Sequence, residues 1–210
     1  GSEMCIRDRN KPMKKLFLFF TLFIFTIVSA QTKYETLTIT NYDSILKKLD
    51  SENQNEIYNL NINDFKQLVS KSAKPFTLVY TYAWWCGPCR KKLPQVLEFK
   101  NKHQNKVELL ILTGEKNPSK YLYMTNKEFN TKYNILFPTF NISDEISTKS
   151  KKKFHNFIQT IVPGHSDYGT GLSLNLLIDN KTSEVLYASF TEIETTDSIF
   201  SKLNSFISNN

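Results

Sequence analysis

Thr77-Leu78-Val79-Tyr80-Thr81-Tyr82-Ala83-Trp84-Trp85-Cys86-Gly87-Pro88-Cys89-Arg90-Lys91-Lys92-Leu93-Pro94 is the stretch that decides the fold. Residues 77–83 are β-branched and aromatic with no charge, and they read as a buried strand. Arg90 to His103 reads as a helix. Two thiols separated by two residues can close a small disulfide where the chain starts a helix. There the unpaired backbone N–H groups and the helix dipole stabilise a thiolate. The thiolate is the attacking species in disulfide exchange. Strand, Cys-x-x-Cys and helix together point to a redox site. The competing readings are a zinc half-site and a static disulfide. Zinc usually needs two more Cys or His ligands at matching spacing, and no second Cys pair follows.

The chain upstream divides at Ala30. Met13-Lys14-Lys15, the uncharged run Leu16–Val28 and the small residues Val28-Ser29-Ala30 make a secretory signal peptide over residues 13–30, cut before Gln31. The run is short of the roughly 20 residues that span a bilayer. A membrane link is therefore expected only through an uncleaved signal anchor. No Cys follows the cleavage site, so a lipoprotein anchor is not expected. Residues 1–12 carry charges of both signs before Met13 and read as a library scar or a misassigned start. Setting them aside removes Cys5 from the three cysteines and leaves Cys86 and Cys89 alone. What remains is about 180 residues, enough for one domain with a sizeable core. The net charge falls from +7 to about +4. That balance, with no basic helix, argues against nucleic acid as a partner. The dense basic run Lys149-Ser150-Lys151-Lys152-Lys153 reads as a solvated face, with an acidic docking partner or anionic membrane as the alternative.

Tyr34–Thr40 alternates as a strand, and residues 41–50 read as a short helix or turn. The polar stretch 51–55 sets the edge between an N-terminal extension, 31–54, and a domain over 55–210. Residues 56–61 read as a strand, and Asn63 as the cap of a helix carrying Phe65, Leu68 and Val69. Val107–Thr113 reads as a second core strand, and Pro118 as the first turn of a helix reaching Tyr133. Asn134–Phe140 reads as a strand or extended segment. Phe154, Phe157, Ile158 and Ile161 form one helical face. A loop over 163–171 leads to a hairpin, 172–178 with 184–190. Ile199, Leu203, Phe206 and Ile207 stripe a last helix.

The Trp85-Cys86-Gly87-Pro88-Cys89 run, the Tyr82-Ala83-Trp84-Trp85 lead-in and Pro94 resemble the thioredoxin superfamily, and in particular its TlpA-like extracytoplasmic members. The resemblance covers residues ~55–208 and implies an α/β thioredoxin-like fold. That is a central mixed sheet with helices on both faces and an insertion, residues 135–171, before the C-terminal hairpin. It implies an exported, periplasmic thiol–disulfide oxidoreductase that reduces protein disulfides, with a membrane thiol transporter as electron donor and no metal or organic cofactor. Cys86 would be the exposed nucleophile and Cys89 the resolving thiol, with Trp85, Gly87, Pro88 and Ser173 in support. Gly87 would admit a substrate backbone, and Pro88 fixes φ and withdraws a donor. The Gly-Pro pair is typical of reducing members.

Three positions depart from the family. Tyr80 stands where thioredoxins bury an acid. Lys92 stands where TlpA-like reductases often carry Glu, and it reads as a solvated helix lysine unless it points at the sulfurs. Ser173 stands where the family places its cis-proline, with Pro138 as rival, and a trans peptide is expected there. The alternatives kept open are an oxidant or isomerase, and a metal-binding chaperone using Cys86, Cys89 and His165.

Overall fold

The computed structural model describes residues 36–51, 56–163, 172–189 and 194–208. The motif strand β2 (Phe76–Thr81) is buried at every position, as is β3 (Val107–Thr113). Strands buried on both faces are near-continuous apolar runs, which is what these two sequences show. β3 runs parallel to β2, with Leu78 opposite Leu109 and Tyr80 opposite Ile111. On the other side of β2, β5 (Asn175–Asp179) pairs antiparallel, and β6 (Val185–Ala188) completes the hairpin. The sheet is mixed, in the order β1-β4-β3-β2-β5-β6, with β1 over Ile57–Leu60 and β4 over Thr139–Ile142.

Helices cover both faces. α1 (Tyr42–Leu49) is capped by Asn41 and buries Ile45 and Leu49. α2 (Ile62–Lys71) buries Phe65, Leu68 and Val69. α3 (Gly87–Lys102) carries the motif. α4 (Lys120–Met124) runs into a π-helical turn, Thr125–Asn130. α5 (Ser150–Ile161) buries Phe154, Phe157 and Ile158, and α6 (Thr196–Ser208) buries Ile199, Leu203 and Ile207. α2 meets α5 through the edge-to-face pair Phe65–Phe157, centroids 5.3 Å apart. α3 meets α6 through Phe99 and Phe200 at 5.5 Å. Each fully buried side chain among these is worth about 1.5–3 kcal/mol of removed apolar surface. Among the described residues, no helix is long and apolar enough to cross a membrane.

Several local expectations are corrected. Residues 36–40 form no strand. Leu37 makes a single parallel bridge to Tyr58, donating to Ile57 and accepting from Asn59. The α2 cap is Asn61, not Asn63. Its side chain accepts from the Asp64 N–H while Asp64 reaches back, a capping box that Asn63 is too late to form. α4 starts after Ser119, whose hydroxyl takes the Leu122 N–H, so Pro118 precedes the helix. The extended segment near Pro138 becomes β4 only from Thr139, and it lies inside the sheet, between β1 and β3. The insertion therefore extends the core instead of decorating it. Tyr34, the signal-peptide region, Cys5 and His165 lie outside the described residues.

Candidate functional site

β2 ends at Thr81, and the chain turns through Trp84 and Trp85 before α3 begins. The Cys86 N–H closes that turn on the Ala83 carbonyl at 2.9 Å. Cys86 is the N-cap of α3, extended at φ −79° and ψ 105°, and its sulfur accepts the Cys89 N–H at 3.2 Å. The helix thus begins at Gly87, three residues before Arg90, and Pro88 sits in its first turn, where a missing N–H costs nothing. Cys89 lies inside the first turn, and the two sulfurs are bonded as a disulfide with Cα atoms 5.3 Å apart. Cys86 is 8% exposed and Cys89 0%. Of the two cysteines, only Cys86 keeps any exposure. Trp85 beside it is 45% exposed, and a Cβ at Gly87 would meet nothing within 4 Å. The near side of the disulfide is open to an approaching chain.

The opposite wall is the turn before β5. Ser173 has φ 60°, the left-handed region, and is buried. Its N–H donates to the Thr81 carbonyl at 2.9 Å, and the Leu174 N–H donates to the Thr81 hydroxyl at 3.0 Å. The Lys92 ammonium donates to the Ser173 carbonyl at 3.1 Å. Lys92 is therefore no solvated lysine. It lies on the Cys89-Leu93-Val96 face of α3, because three residues is nearly one turn, and burial pushes its pKa down. Ser173 faces the motif helix, whereas Pro138 leads into β4, two strands from β2. The cis peptide among the described residues is Asn117–Pro118, so the bonds before Ser173 and Pro138 are both trans. Tyr80, fully buried, donates its hydroxyl to the Cys89 carbonyl at 2.8 Å. Burial pushes its phenol well above the usual tyrosine range.

The Thioredoxin family description matches residues 56–160, half of the chain. The chain belongs to the thioredoxin family. It is 34% identical over 96 residues to thioredoxin Y, chloroplastic, of Oryza sativa subsp. japonica, covering 45% of this chain and 48% of that protein. It is 34% identical over 85 residues to a thioredoxin of Streptomyces clavuligerus, covering 40% of this chain and 69% of that one. Among solved structures, the pneumococcal exposed lipoprotein thioredoxin of Streptococcus pneumoniae strain TIGR4 is a distant likeness. The two are 14% identical, with 65% of this chain and 89% of that chain covered at a TM-score of 0.44. The chain spans about half the length of the first curated relatives it matches.

This thioredoxin-family chain also buries charged residues that its sequence did not announce. Glu115 follows β3 and is 4% exposed. Burial pushes its carboxyl up, while the Trp85 indole and the Lys153 ammonium pull it down. Lys153 closes the basic run expected to be solvated, yet it is 0% exposed, with Nζ 2.6 Å from the Glu115 carbonyl and paired with Asp144. Its neighbours Lys149, Lys151 and Lys152 are exposed as expected. The available signal was position: residues 153, 154, 157 and 158 share one face of α5. Among the described residues, no group of three or more His, Cys, Asp or Glu could hold a metal.

Proposed function

We propose that the chain is a thiol–disulfide oxidoreductase that reduces protein disulfides outside the cytoplasm. The observation that carries the reading is the Cys86–Cys89 disulfide at the start of α3, with Cys86 reaching solvent and Cys89 sealed beneath it. In the reduced protein, the Cys86 thiolate attacks one sulfur of a substrate disulfide, and the other substrate sulfur leaves as a thiolate. Cys89 then loses its proton and attacks the Cys86 sulfur. The second substrate thiolate departs, two electrons have passed to the substrate, and the bond seen here is restored. The helix N-terminus favours the thiolate on Cys86. No metal or organic cofactor enters these steps.

The Gly87-Pro88 pair supports the reducing direction, and the basic, apolar and small-residue pattern over residues 13–30 supports export. A dithiol donor must return the pair to the reduced state. A TlpA-like assignment would make that donor a membrane thiol transporter. The direct test is insulin disulfide reduction with dithiothreitol as donor. Cys86→Ser abolishes turnover, and Cys89→Ser accumulates a mixed disulfide. The reduction potential against glutathione decides direction: below about −220 mV the pair is a reductant, and near −120 mV it is an oxidant. A folded wild type that leaves insulin oxidised refutes the reading.

A further inference from the structure

Among the described residues, three large apolar side chains stand in solvent: Leu37, Trp85 and, at 54% exposure, Tyr121. Leu37 lies at the sheet edge, bridged to Tyr58 of β1. The other two belong to the surroundings of Cys86. Trp84 and Trp85 are the middle residues of the turn that the Cys86 N–H closes on the Ala83 carbonyl. Tyr121, in the first turn of α4, stacks on Trp84, with ring centroids 5.9 Å apart and planes 21° from parallel. Two chain steps separate Trp84 from Cys86, at most roughly 7 Å between Cα atoms. The Trp84 indole N–H is buried and makes no hydrogen bond among the described residues, so Trp84 acts there through its ring. Charge has one sign around these rings. Neither α3 nor α4 has an acid in its first turn, and Arg90, Lys91 and Lys120 near those helix starts are exposed.

We propose that Tyr121, stacked on Trp84, extends the docking surface beyond the disulfide and takes an aromatic side chain from an acidic segment of the substrate polypeptide. That the segment is a substrate rests on the oxidoreductase reading above; that the patch binds it does not. The surface is continuous along the chain with the turn that delivers Cys86, so one extended segment can engage both. Such a segment advances about 3.3 Å per residue, which puts its aromatic roughly two to four residues from the cysteine it presents. An added ring gains from contact with the exposed Tyr121 face, and acidic neighbours gain from the basic rim. A tyrosine that only covered Trp84 would serve every substrate alike.

The test titrates the oxidised full chain with fluorescein-labelled, redox-inert peptides, in which Ser replaces the substrate cysteine, and reads anisotropy. Acidic peptides carrying Phe two, three or four residues from that Ser are compared with the same peptides carrying Ser for Phe. At the best spacing the Phe peptide binds about fivefold more tightly, the scale of one aromatic pair. Tyr121→Ala removes that difference, and Tyr121→Phe retains it. Exchanging the peptide's acids for Lys weakens binding about threefold or more at low salt. Equal binding of Phe and Ser peptides, or of acidic and basic ones, overturns the proposal. So does a loss in Tyr121→Ala that is the same for Phe and Ser peptides. Should Tyr121→Ala not fold, Tyr121→Gln is read in its place. A wild type that favours the Phe peptide but leaves insulin oxidised sinks the oxidoreductase reading and keeps the docking surface. One that reduces insulin without favouring the Phe peptide does the reverse.

Discussion

Replacing Tyr80 by Phe removes one oxygen from beneath the disulfide and tests whether the phenol moves protons. The hydroxyl is fully buried and donates to the Cys89 carbonyl at 2.8 Å. Burial holds the phenol protonated far above neutral pH, so it cannot take the Cys89 proton during exchange. Its role is then structural. A neutral buried hydrogen bond is worth about 1 kcal/mol net, and the carbonyl retains its place in the helix, so the loss stays near that figure. For a domain of this size that is a fall in Tm of roughly 2–4 °C. Both redox states contain the same carbonyl, so they lose the same amount. Were the bond present in one state only, 1 kcal/mol would move the potential by about 20 mV. The expectation is a shift below about 10 mV. The sign with pH follows from a raised acid pKa: the wild type loses this advantage only as pH climbs past the ordinary 10.0, where the unfolded phenol ionises first. Thermal melts of both redox forms, the glutathione equilibrium and the pH–rate profile of insulin reduction are the assays. A pH–rate profile displaced by half a unit or more, with Tm unchanged, would refute the reasoning and make Tyr80 a proton carrier.

Iodoacetamide at mildly acidic pH should label reduced Cys86 before Cys89, because Cys86 caps the helix and keeps some exposure while Cys89 is fully buried; equal labelling overturns the roles. Lys92→Met should speed amide exchange of Ser173 and Leu174 about tenfold, since the turn loses its tie to α3; unchanged exchange shows that the Thr81 bonds suffice. Glu108, buried at the start of β3 with Lys74 at 3.3 Å, has its carboxyl pushed up to about 7 chiefly by burial. The native state then holds a proton that the unfolded state releases, so stability falls as pH rises from 4.5 to about 7. The fall is up to roughly 3 kcal/mol. Glu108→Gln should flatten that slope in urea titrations, and a wild-type midpoint constant across the window rules the effect out.

Sequence alone determined whatever depends on near neighbours. The apolar runs of β2 and β3, the helical stripes of α2, α5 and α6, and the Cys-x-x-Cys at a helix start are all set by spacing within a few residues. So the fold class and the two cysteines were legible. The departures at Tyr80, Lys92 and Ser173 were also visible, but not what each side chain does. That depends on partners far along the chain: Lys92 meets the carbonyl of Ser173, 81 residues away, and Lys153 meets Glu115 at a separation of 38. A lysine's charge argues for solvent until a distant acceptor is supplied, and only the folded backbone supplies it. The same holds for β4. The stretch read as a strand or an extended segment, 134–140, overlaps it only at Thr139 and Phe140, and its place between β1 and β3 comes from pairing with both, which no local pattern encodes. Local periodicity fixes which face of an element is apolar. The tertiary structure decides which polar groups that face can bury, because only there do their hydrogen-bond partners exist.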